Sequence, residues 1–197
     1  DEGAALERRL FEASRADPQS RALRHLFFAE RAAGKLEGNP VAREVRRVAV
    51  IGAGTMGSGI ALACLDGGCE VVLIDVDAAS LERGLGRVRS TLDGAVAKGR
   101  ATRADADAKL ARLRTGGGLA DAAGCELVVE AVFESLDLKR RVFAELDAVL
   151  GPDALLATNT SYLDVDAIAA ATARPASVLG LHFFSPANVM KLVEVVR

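Results

Sequence analysis

The sequence is poor in aromatic residues, histidine and cysteine. Its 197 residues include no tryptophan, one tyrosine and two histidines, and aromatic side chains make up only 4% of them. Because half of the residues are nevertheless hydrophobic, the core must be built from valine, leucine, isoleucine and alanine, which favours helices packed on a buried sheet. The three cysteines are odd in number and show no Cys-x-x-Cys spacing. We therefore expect neither a disulfide framework nor a metal site.

The charges argue against a nucleic-acid-binding protein, and the apolar runs argue against a membrane-spanning or secreted one. Lysine and arginine number 25 and aspartate and glutamate 27, so the formal net charge of −2 offers no basic footprint for nucleic acid. No apolar run approaches the roughly 20 residues that cross a bilayer, and the first residues, DEGAALERRL, are not a signal peptide. We expect a protein that is not secreted and that works in the cytoplasm or in an organelle matrix.

Residues 1–40 are predicted to be helical and separate from the rest of the chain. Asp17 is placed as an N-cap, Pro18 at the first helical position and Gly34 at the far end of a helix. The segment EGNP, residues 37–40, has the composition of a linker. The chain begins without methionine and ends directly after a strand-like run, so we expect it to be a piece of a longer protein.

From residue 45 to residue 197, short apolar strands alternate with helices. The strands are predicted at residues 47–51, 70–75, 126–131, 154–159, 177–183 and 191–196. A long helical stretch is predicted from about Ala78 to Leu113. Such alternation is typical of βαβ units, and it predicts an α/β fold of the Rossmann type, in which a doubly wound, mostly parallel sheet follows the α-helical linker segment.

A glycine-rich turn leaves the first of these strands. In VAVIGAGTMGSGIALA, Gly52, Gly54 and Gly57 form a G-x-G-x-x-G pattern between an apolar strand and an apolar helix. The first glycine of such a pattern permits a tight turn, the second lets the backbone approach a pyrophosphate, and the third lets helix and strand pack closely. Asp75, 23 residues after Gly52, can accept both hydroxyls of an adenosine ribose. Since no lysine or arginine follows at 76–79 to bind a 2′-phosphate, NAD is favoured over NADP.

The other unusual polar residues also fall where predicted strands end. In an open parallel sheet, ligands gather beyond the carboxyl ends of the strands. That edge is predicted to carry Asp75, Glu130, Glu134, Asn159, Thr160, Ser161 and His182. An imidazole there suits proton exchange at neutral pH, and the segment FSPANVM can turn the chain back so that Glu194 pairs with His182. The carboxylate would fix the tautomer of the ring and stabilise the imidazolium.

These motifs together resemble the NAD-binding domain of the L-3-hydroxyacyl-CoA dehydrogenases of fatty-acid oxidation. The similarity is carried by RRVAVIGAGTMGSGIA, LVVEAVFESLDLKRRVFAELD, TNTSYL and LHFFSPANVMKLVEVV, which with their spacings span about 150 residues. The segment ALRHLFFAERAAGK resembles the helix that links an enoyl-CoA hydratase domain to this dehydrogenase in multifunctional enzymes. The resemblance implies the oxidation of a 3-hydroxyacyl-CoA to a 3-ketoacyl-CoA with NAD as cofactor.

The resemblance also implies roles for individual residues. His182 matches the catalytic base, Glu194 matches the glutamate that pairs with it, and Ser161 matches the serine that hydrogen-bonds the substrate oxygen. Further positions match contacts to the cofactor: Gly52, Gly54, Thr55, Met56, Gly57, Asp75, Ala131, Glu134, Lys139 and Asn159. No metal is implied.

The resemblance further implies partners within a larger polypeptide. In the family, a helical C-terminal domain completes the active site, and the resemblance implies that this chain stops before that domain. By the same resemblance we expect a hydratase domain to be missing from this chain, and a thiolase subunit is left open as a partner. We therefore expect NAD binding to survive in this chain and turnover to be poor or absent. Three alternatives stay open: a non-catalytic NAD-binding module, a dehydrogenase of another small hydroxy acid, and a structural protein built on this fold.

Overall fold

The computed structural model describes residues 2–35, 38 and 42–197. The chain divides into two compact units, Asp1–Glu44 and Val45–Arg197. Of the predicted linker EGNP, Glu37, Asn39 and Pro40 lie outside the described residues. Among the described residues, no helix is both long and apolar enough to cross a membrane.

The first unit contains two helices, α1 (Glu2–Ala16) and α2 (Pro18–Ala33). The predicted start of α2 is confirmed: Asp17 is its N-cap and accepts a hydrogen bond from the Gln19 N–H at 2.7 Å. Pro18 occupies the first helical position and Gly34 the C-cap. Among the described residues, those of the two helices include none that is buried.

The second unit is built on one seven-stranded sheet. Its strands are β1 (Arg47–Ile51), β2 (Glu70–Ile74), β3 (Leu113–Gly116), β4 (Leu127–Glu130), β5 (Leu155–Thr158), β6 (Val178–Phe183) and β7 (Val193–Val196). Their spatial order is β3-β2-β1-β4-β5-β6-β7, and every neighbouring pair is parallel except β6 with β7. This order, which runs outward in both directions from β1, is that of a doubly wound Rossmann sheet.

Helices cover both faces of this sheet. They are α3 (Thr55–Asp66), α4 (Ala78–Ala97), α5 (Arg103–Ala111), α6 (Leu136–Val149) and α7 (Val165–Ala169). Because side chains alternate along a strand, Val48 and Val50 of β1 enter the core formed with α3 and α4. Ala49 and Ile51 enter the opposite core, formed with α6 and α7. Burial on both faces explains why the central strands are continuous apolar runs.

The prediction of one helix from about Ala78 to Leu113 is wrong, because this region forms two helices and the first residue of a strand. Helix α4 ends at Ala97, Gly99 follows with φ +65°, and α5 starts anew with a capping box between Thr102 and Asp105. The segment from Leu113 then forms β3, which pairs with β2 at the edge of the sheet. An edge strand needs no continuous apolar run, and LRTG contains a single aliphatic side chain.

Arg174, just after α7, closes the end of α6. Its Nε donates to Asp147 Oδ1 at 2.5 Å, and its Nη2 donates to the carbonyls of Asp147 at 2.8 Å and Leu150 at 3.3 Å. Its Nη1 donates to the carbonyl of Gly151. One guanidinium thus satisfies carbonyls that a helix end leaves without partners.

Replacing Arg174 by alanine is expected to lower the free energy of unfolding by about 2–3 kcal/mol, because charge-assisted hydrogen bonds to a largely buried carboxylate are lost. Urea unfolding of this variant and of Arg140→Ala, an exposed arginine of α6, provides the comparison.

The Ala173 N–H, and after it Arg174, hold the pKa of Asp147 below its ordinary value against the opposing effect of burial. The difference between variant and parent should therefore be largest above about pH 4 and shrink as the pH falls. Equal midpoints for all three proteins would contradict this role.

Candidate active site

The glycine turn joins β1 to α3. Gly52 has φ +99°, and a Cβ on it would lie 2.7 Å from the carbonyl oxygen of Ala131. A Cβ on Gly57 would lie 1.7 Å from the carbonyl oxygen of Gly52, so only glycine allows α3 to start this close to the strand. Gly54 is the N-cap of α3 and has nothing within 4 Å of its Cβ position. The open space at Gly54 lets a pyrophosphate approach the first N–H groups of α3.

Asp75 follows β2 and faces this turn. Its Oδ2 accepts from the Ala53 N–H at 2.8 Å, and its Oδ1 accepts from the Asp77 N–H at 3.0 Å. These two bonds fix the carboxylate beside the glycine turn, where the G-x-G-x-x-G pattern predicts the adenosine ribose.

A cleft of about 990 Å³ opens in front of the turn. Six of the predicted cofactor residues line it: Gly52, Gly54, Thr55, Met56, Asp75 and Ala131. The cleft is also lined by aliphatic side chains that were not predicted from the sequence: Val76, Leu119, Val132, Leu138 and Val142, which form an apolar slot. Val76 is 83% exposed although it directly follows β2. An aliphatic residue next to Asp75 at a strand end was the signal for such a slot.

A buried ion pair lies behind the carboxyl end of β4. Glu130, the last residue of β4, is fully buried, and Lys139 of α6 is 1% exposed. Lys139 Nζ donates to the two oxygens of Glu130 at 2.8 and 3.0 Å and lies 3.1 Å from Glu134 Oε2. The resemblance implies a cofactor contact for Lys139, whereas the structure encloses its ammonium between two carboxylates.

Asn159 and Ser161 lie beyond the end of β5. Asn159 Oδ1 accepts from the Phe183 N–H at 2.8 Å, which leaves the two N–H donors of its amide for another partner. Ser161 is exposed, and its N–H donates to Glu134 Oε1 at 3.0 Å. The structure thus brings Glu134 and Ser161 together, and it joins Asn159 to β6 next to His182.

His182 and Glu194 face each other across the antiparallel pair β6–β7. They are direct partners in the register of these strands, which places their side chains on the same face. His182 Nδ1 lies 2.8 Å from Glu194 Oε2, so the segment 184–192 turns the chain back as expected. With Nδ1 directed at the carboxylate, Nε2 is the nitrogen left to face a substrate. Within the described residues, no group of three or more His, Cys, Asp or Glu side chains could hold a metal ion.

Residues 47–197 match the family model described as "3-hydroxyacyl-CoA dehydrogenase, NAD binding domain". The chain belongs to this family. The match confirms the resemblance, the Rossmann-type fold and NAD as the cofactor. A dehydrogenase NAD-binding domain of this kind accounts for the glycine turn, Asp75 and the cleft in front of them.

Relatives of this dehydrogenase domain include much longer enzymes. The peroxisomal bifunctional enzyme of Cavia porcellus is 44% identical over 201 residues, which cover 98% of this chain and 28% of that enzyme. The peroxisomal bifunctional enzyme of Homo sapiens is 43% identical over 185 residues, which cover 90% of this chain and 25% of the relative. The chain therefore spans about a quarter of the length of these curated relatives.

Solved structures share the fold of the dehydrogenase domain. FadB2 of M. tuberculosis superposes with a TM-score of 0.76 at 44% identity, covering 79% of this chain and 55% of that one. The 3-hydroxybutyryl-CoA dehydrogenase of Escherichia coli superposes with the same TM-score at 43% identity, covering 78% of this chain and 32% of that one.

Proposed function

We propose that this chain is the NAD-binding part of an enzyme that oxidises L-3-hydroxyacyl-CoA to 3-ketoacyl-CoA in fatty-acid β-oxidation. The observation that carries the proposal is the His182–Glu194 pair. It lies on the strand-end edge of the sheet that also carries the glycine turn and Asp75. A module that only binds NAD has no need of a histidine held by a carboxylate at this edge.

The residues around the cleft fit NAD. Gly54 leaves room for the pyrophosphate at the start of α3, and the carboxylate of Asp75 is placed to accept the ribose hydroxyls. When bound, NAD supplies the hydride acceptor for the reaction. The Oδ1 of Asn159 accepts the Phe183 N–H, and we assign the two N–H donors of the same amide to the nicotinamide end of the cofactor.

Three residues act on the substrate, directly or through another side chain: His182, Glu194 and Ser161. Ser161 hydrogen-bonds the 3-oxygen of the substrate, and His182 Nε2 accepts the proton of the 3-hydroxyl. Glu194 holds the imidazole through Nδ1 and stabilises the imidazolium that forms. In the reverse direction, the imidazolium returns this proton to the oxygen of the 3-ketone.

The relatives' length and names support a larger polypeptide around this domain. We assign residues 1–40 to the linker from an enoyl-CoA hydratase domain and residues 45–197 to the dehydrogenase. A helical C-terminal domain completes the active site, and a thiolase subunit is a further partner to test. The curated relatives are named as peroxisomal enzymes, which favours an organelle matrix over the cytoplasm as the compartment.

The proposal is tested by NADH oxidation with acetoacetyl-CoA, followed at 340 nm, with this chain and with the full-length protein that contains it. NADH is expected to bind both proteins more tightly than NADPH, because a 2′-phosphate would meet the charge of Asp75. Turnover is expected in the full-length protein and is expected to be weak or absent in the chain alone.

Three results would count against the proposal. Failure of both proteins to bind either dinucleotide would contradict the cofactor. Binding of NADH with no oxidation by acetoacetyl-CoA in the full-length protein would leave a non-catalytic module. Reduction of a small keto acid instead of acetoacetyl-CoA would identify a dehydrogenase of another hydroxy acid.

A further inference from the structure

Helix α4 packs directly on the glycine turn. A Cβ on Gly84 would lie 2.6 Å from the carbonyl oxygen of Ala53 and 2.8 Å from the Ala53 Cβ, so only glycine lets α4 lie this close to the turn. Ala53 and Val88 of α4 are fully buried in the same core. Ala53, which stands between the first two glycines of the turn, is therefore held against the helix.

The guanidinium of Arg87, one turn after Gly84 in α4, reaches the same carbonyl. Its Nη1 donates to the Ala53 oxygen at 3.2 Å, and Ser58 Oγ lies 3.3 Å from that oxygen. A hydroxyl has one hydrogen to donate, and Ser58 Oγ lies nearer to the carbonyl oxygen of Gly54, at 2.7 Å. Arg87 is therefore the main donor to the Ala53 carbonyl.

The N–H of Ala53 is bonded as well, to the residue that follows β2. It donates to Asp75 Oδ2 at 2.8 Å, and the N–H of the preceding Gly52 donates to the carbonyl of Ile74 at 2.7 Å. Ala53 is thus joined through its N–H to the end of β2 and through its carbonyl to α4. These bonds fix the two peptide groups that flank Ala53, and with them the course of the turn.

The direction of the Ala53 carbonyl decides which partial charge faces the cleft. This carbonyl and the Gly54 N–H belong to one planar trans peptide group and point in opposite directions. Gly54 lines the cleft, whereas Ala53 and Arg87 do not. With the carbonyl bonded to α4, its negative end is turned away from the cleft, and the N–H groups at the start of α3 stay directed at the pyrophosphate.

We propose that Arg87 is a positioning residue for the cofactor, which holds the Ala53 carbonyl on α4 and keeps the turn in the form that accepts the pyrophosphate. Without Arg87 this buried carbonyl would lose its main donor, which is costly. Rotation of the peptide toward the cleft would let water bind the oxygen, but it would place negative partial charge where the pyrophosphate binds. The role rests on NAD as the cofactor and does not depend on the proposed substrate.

The first test is NADH binding by Arg87→Met in this chain. We expect the dissociation constant to rise about tenfold, the effect of losing one hydrogen bond from a charged donor. Hydrogen exchange at the Ala53 amide should become faster, because its bond to Asp75 depends on the same turn. Arg87→Lys retains a charged donor, and its dissociation constant should stay within about threefold of the parental value. Arg89→Met, which removes an exposed arginine of α4, is the matched control and should change neither quantity.

Gly84→Ala tests the same contact from the helix. Its Cβ would meet the Ala53 oxygen at 2.6 Å, so α4 or the turn must shift, and NADH binding should weaken by about tenfold or more. Gly94→Ala, also in α4, meets open space and should bind NADH as the parent does. Because both substitutions displace one peptide group, adding Arg87→Met to Gly84→Ala should weaken binding by less than Arg87→Met does alone.

Two results would overturn the proposal. One is a folded Arg87→Met variant with parental NADH affinity and parental exchange at the Ala53 amide. The other is a raised KM for acetoacetyl-CoA in the full-length Arg87→Met variant with an unchanged NADH dissociation constant, which would show that Arg87 acts on the substrate. If the full-length protein shows no turnover, the proposed function fails, but NADH binding and amide exchange in this chain still decide the role of Arg87.

Discussion

Replacing His182 by glutamine is expected to lower kcat with acetoacetyl-CoA by about 10²–10⁴-fold, the range that a positioned general acid or base supplies. Glutamine is similar in length and retains a donor for Glu194 Oε2, so the edge of the sheet should keep its structure. It cannot exchange a proton with the substrate oxygen at neutral pH, and that step must then use water. The measurement is the rate of NADH oxidation at saturating acetoacetyl-CoA in the full-length protein.

The NADH affinity of the same variant separates catalysis from binding. Because His182 pairs with Glu194 and does not line the cleft, the dissociation constant should stay within about threefold of the parental value. His25→Gln, which changes an exposed histidine of α2, is the control and should leave the rate unchanged. A lost NADH affinity with an unchanged kcat would show that His182 binds the cofactor and is not the base.

Gly57→Ala is expected to have the largest effect on the fold. The new Cβ would lie 1.7 Å from the carbonyl oxygen of Gly52, which is backbone and cannot move aside as a flexible side chain does. Either α3 shifts away from β1 or the turn opens, and we expect a loss of about 3 kcal/mol or more in unfolding free energy. Thermal unfolding and an NADH titration of the chain measure the two consequences.

Two further glycines separate the effect on folding from the effect on binding. Gly54→Ala meets nothing within 4 Å, so it should retain the parental midpoint of unfolding while its methyl group obstructs the pyrophosphate and weakens NADH binding. Gly94→Ala, within α4, also meets open space and should be neutral or slightly stabilising. A stable Gly57→Ala variant with parental NADH affinity would contradict the placement of α3 on the strand.

The sequence predicted the parts of the fold that depend on patterns along the chain. The buried strands β1, β2, β4 and β5 are continuous apolar runs, and the G-x-G-x-x-G turn stands between a strand and a helix, so each could be placed to within a few residues. Strand β3 was missed because LRTG, at the edge of the sheet, has no apolar run, and because its strand character comes from pairing with β2.

The site was predicted where it follows from strand ends and missed where it depends on packing. His182 and Glu194 could be paired because a turn between two short apolar runs brings strands together. The enclosure of Lys139 could not be foreseen, because a lysine in an amphipathic helix ordinarily faces water and nothing in its neighbours along the chain indicates the buried Glu130. The pairing of these charges depends on how α6 lies on β4, and this is a property of the packed domain.

The placement of Glu194 in β7 has a thermodynamic consequence. All four residues of β7 are exposed in this chain, and the strand lies at the edge of the sheet beside β6. With so little buried area, the opening of β7 should cost far less than unfolding of the whole domain, and each opening separates the carboxylate from the imidazole. A surface that binds Val193 and Val195 stabilises β7 in its paired position on β6. The fraction of molecules in which Glu194 contacts His182 therefore rises with the fraction in which such a surface is bound to β7.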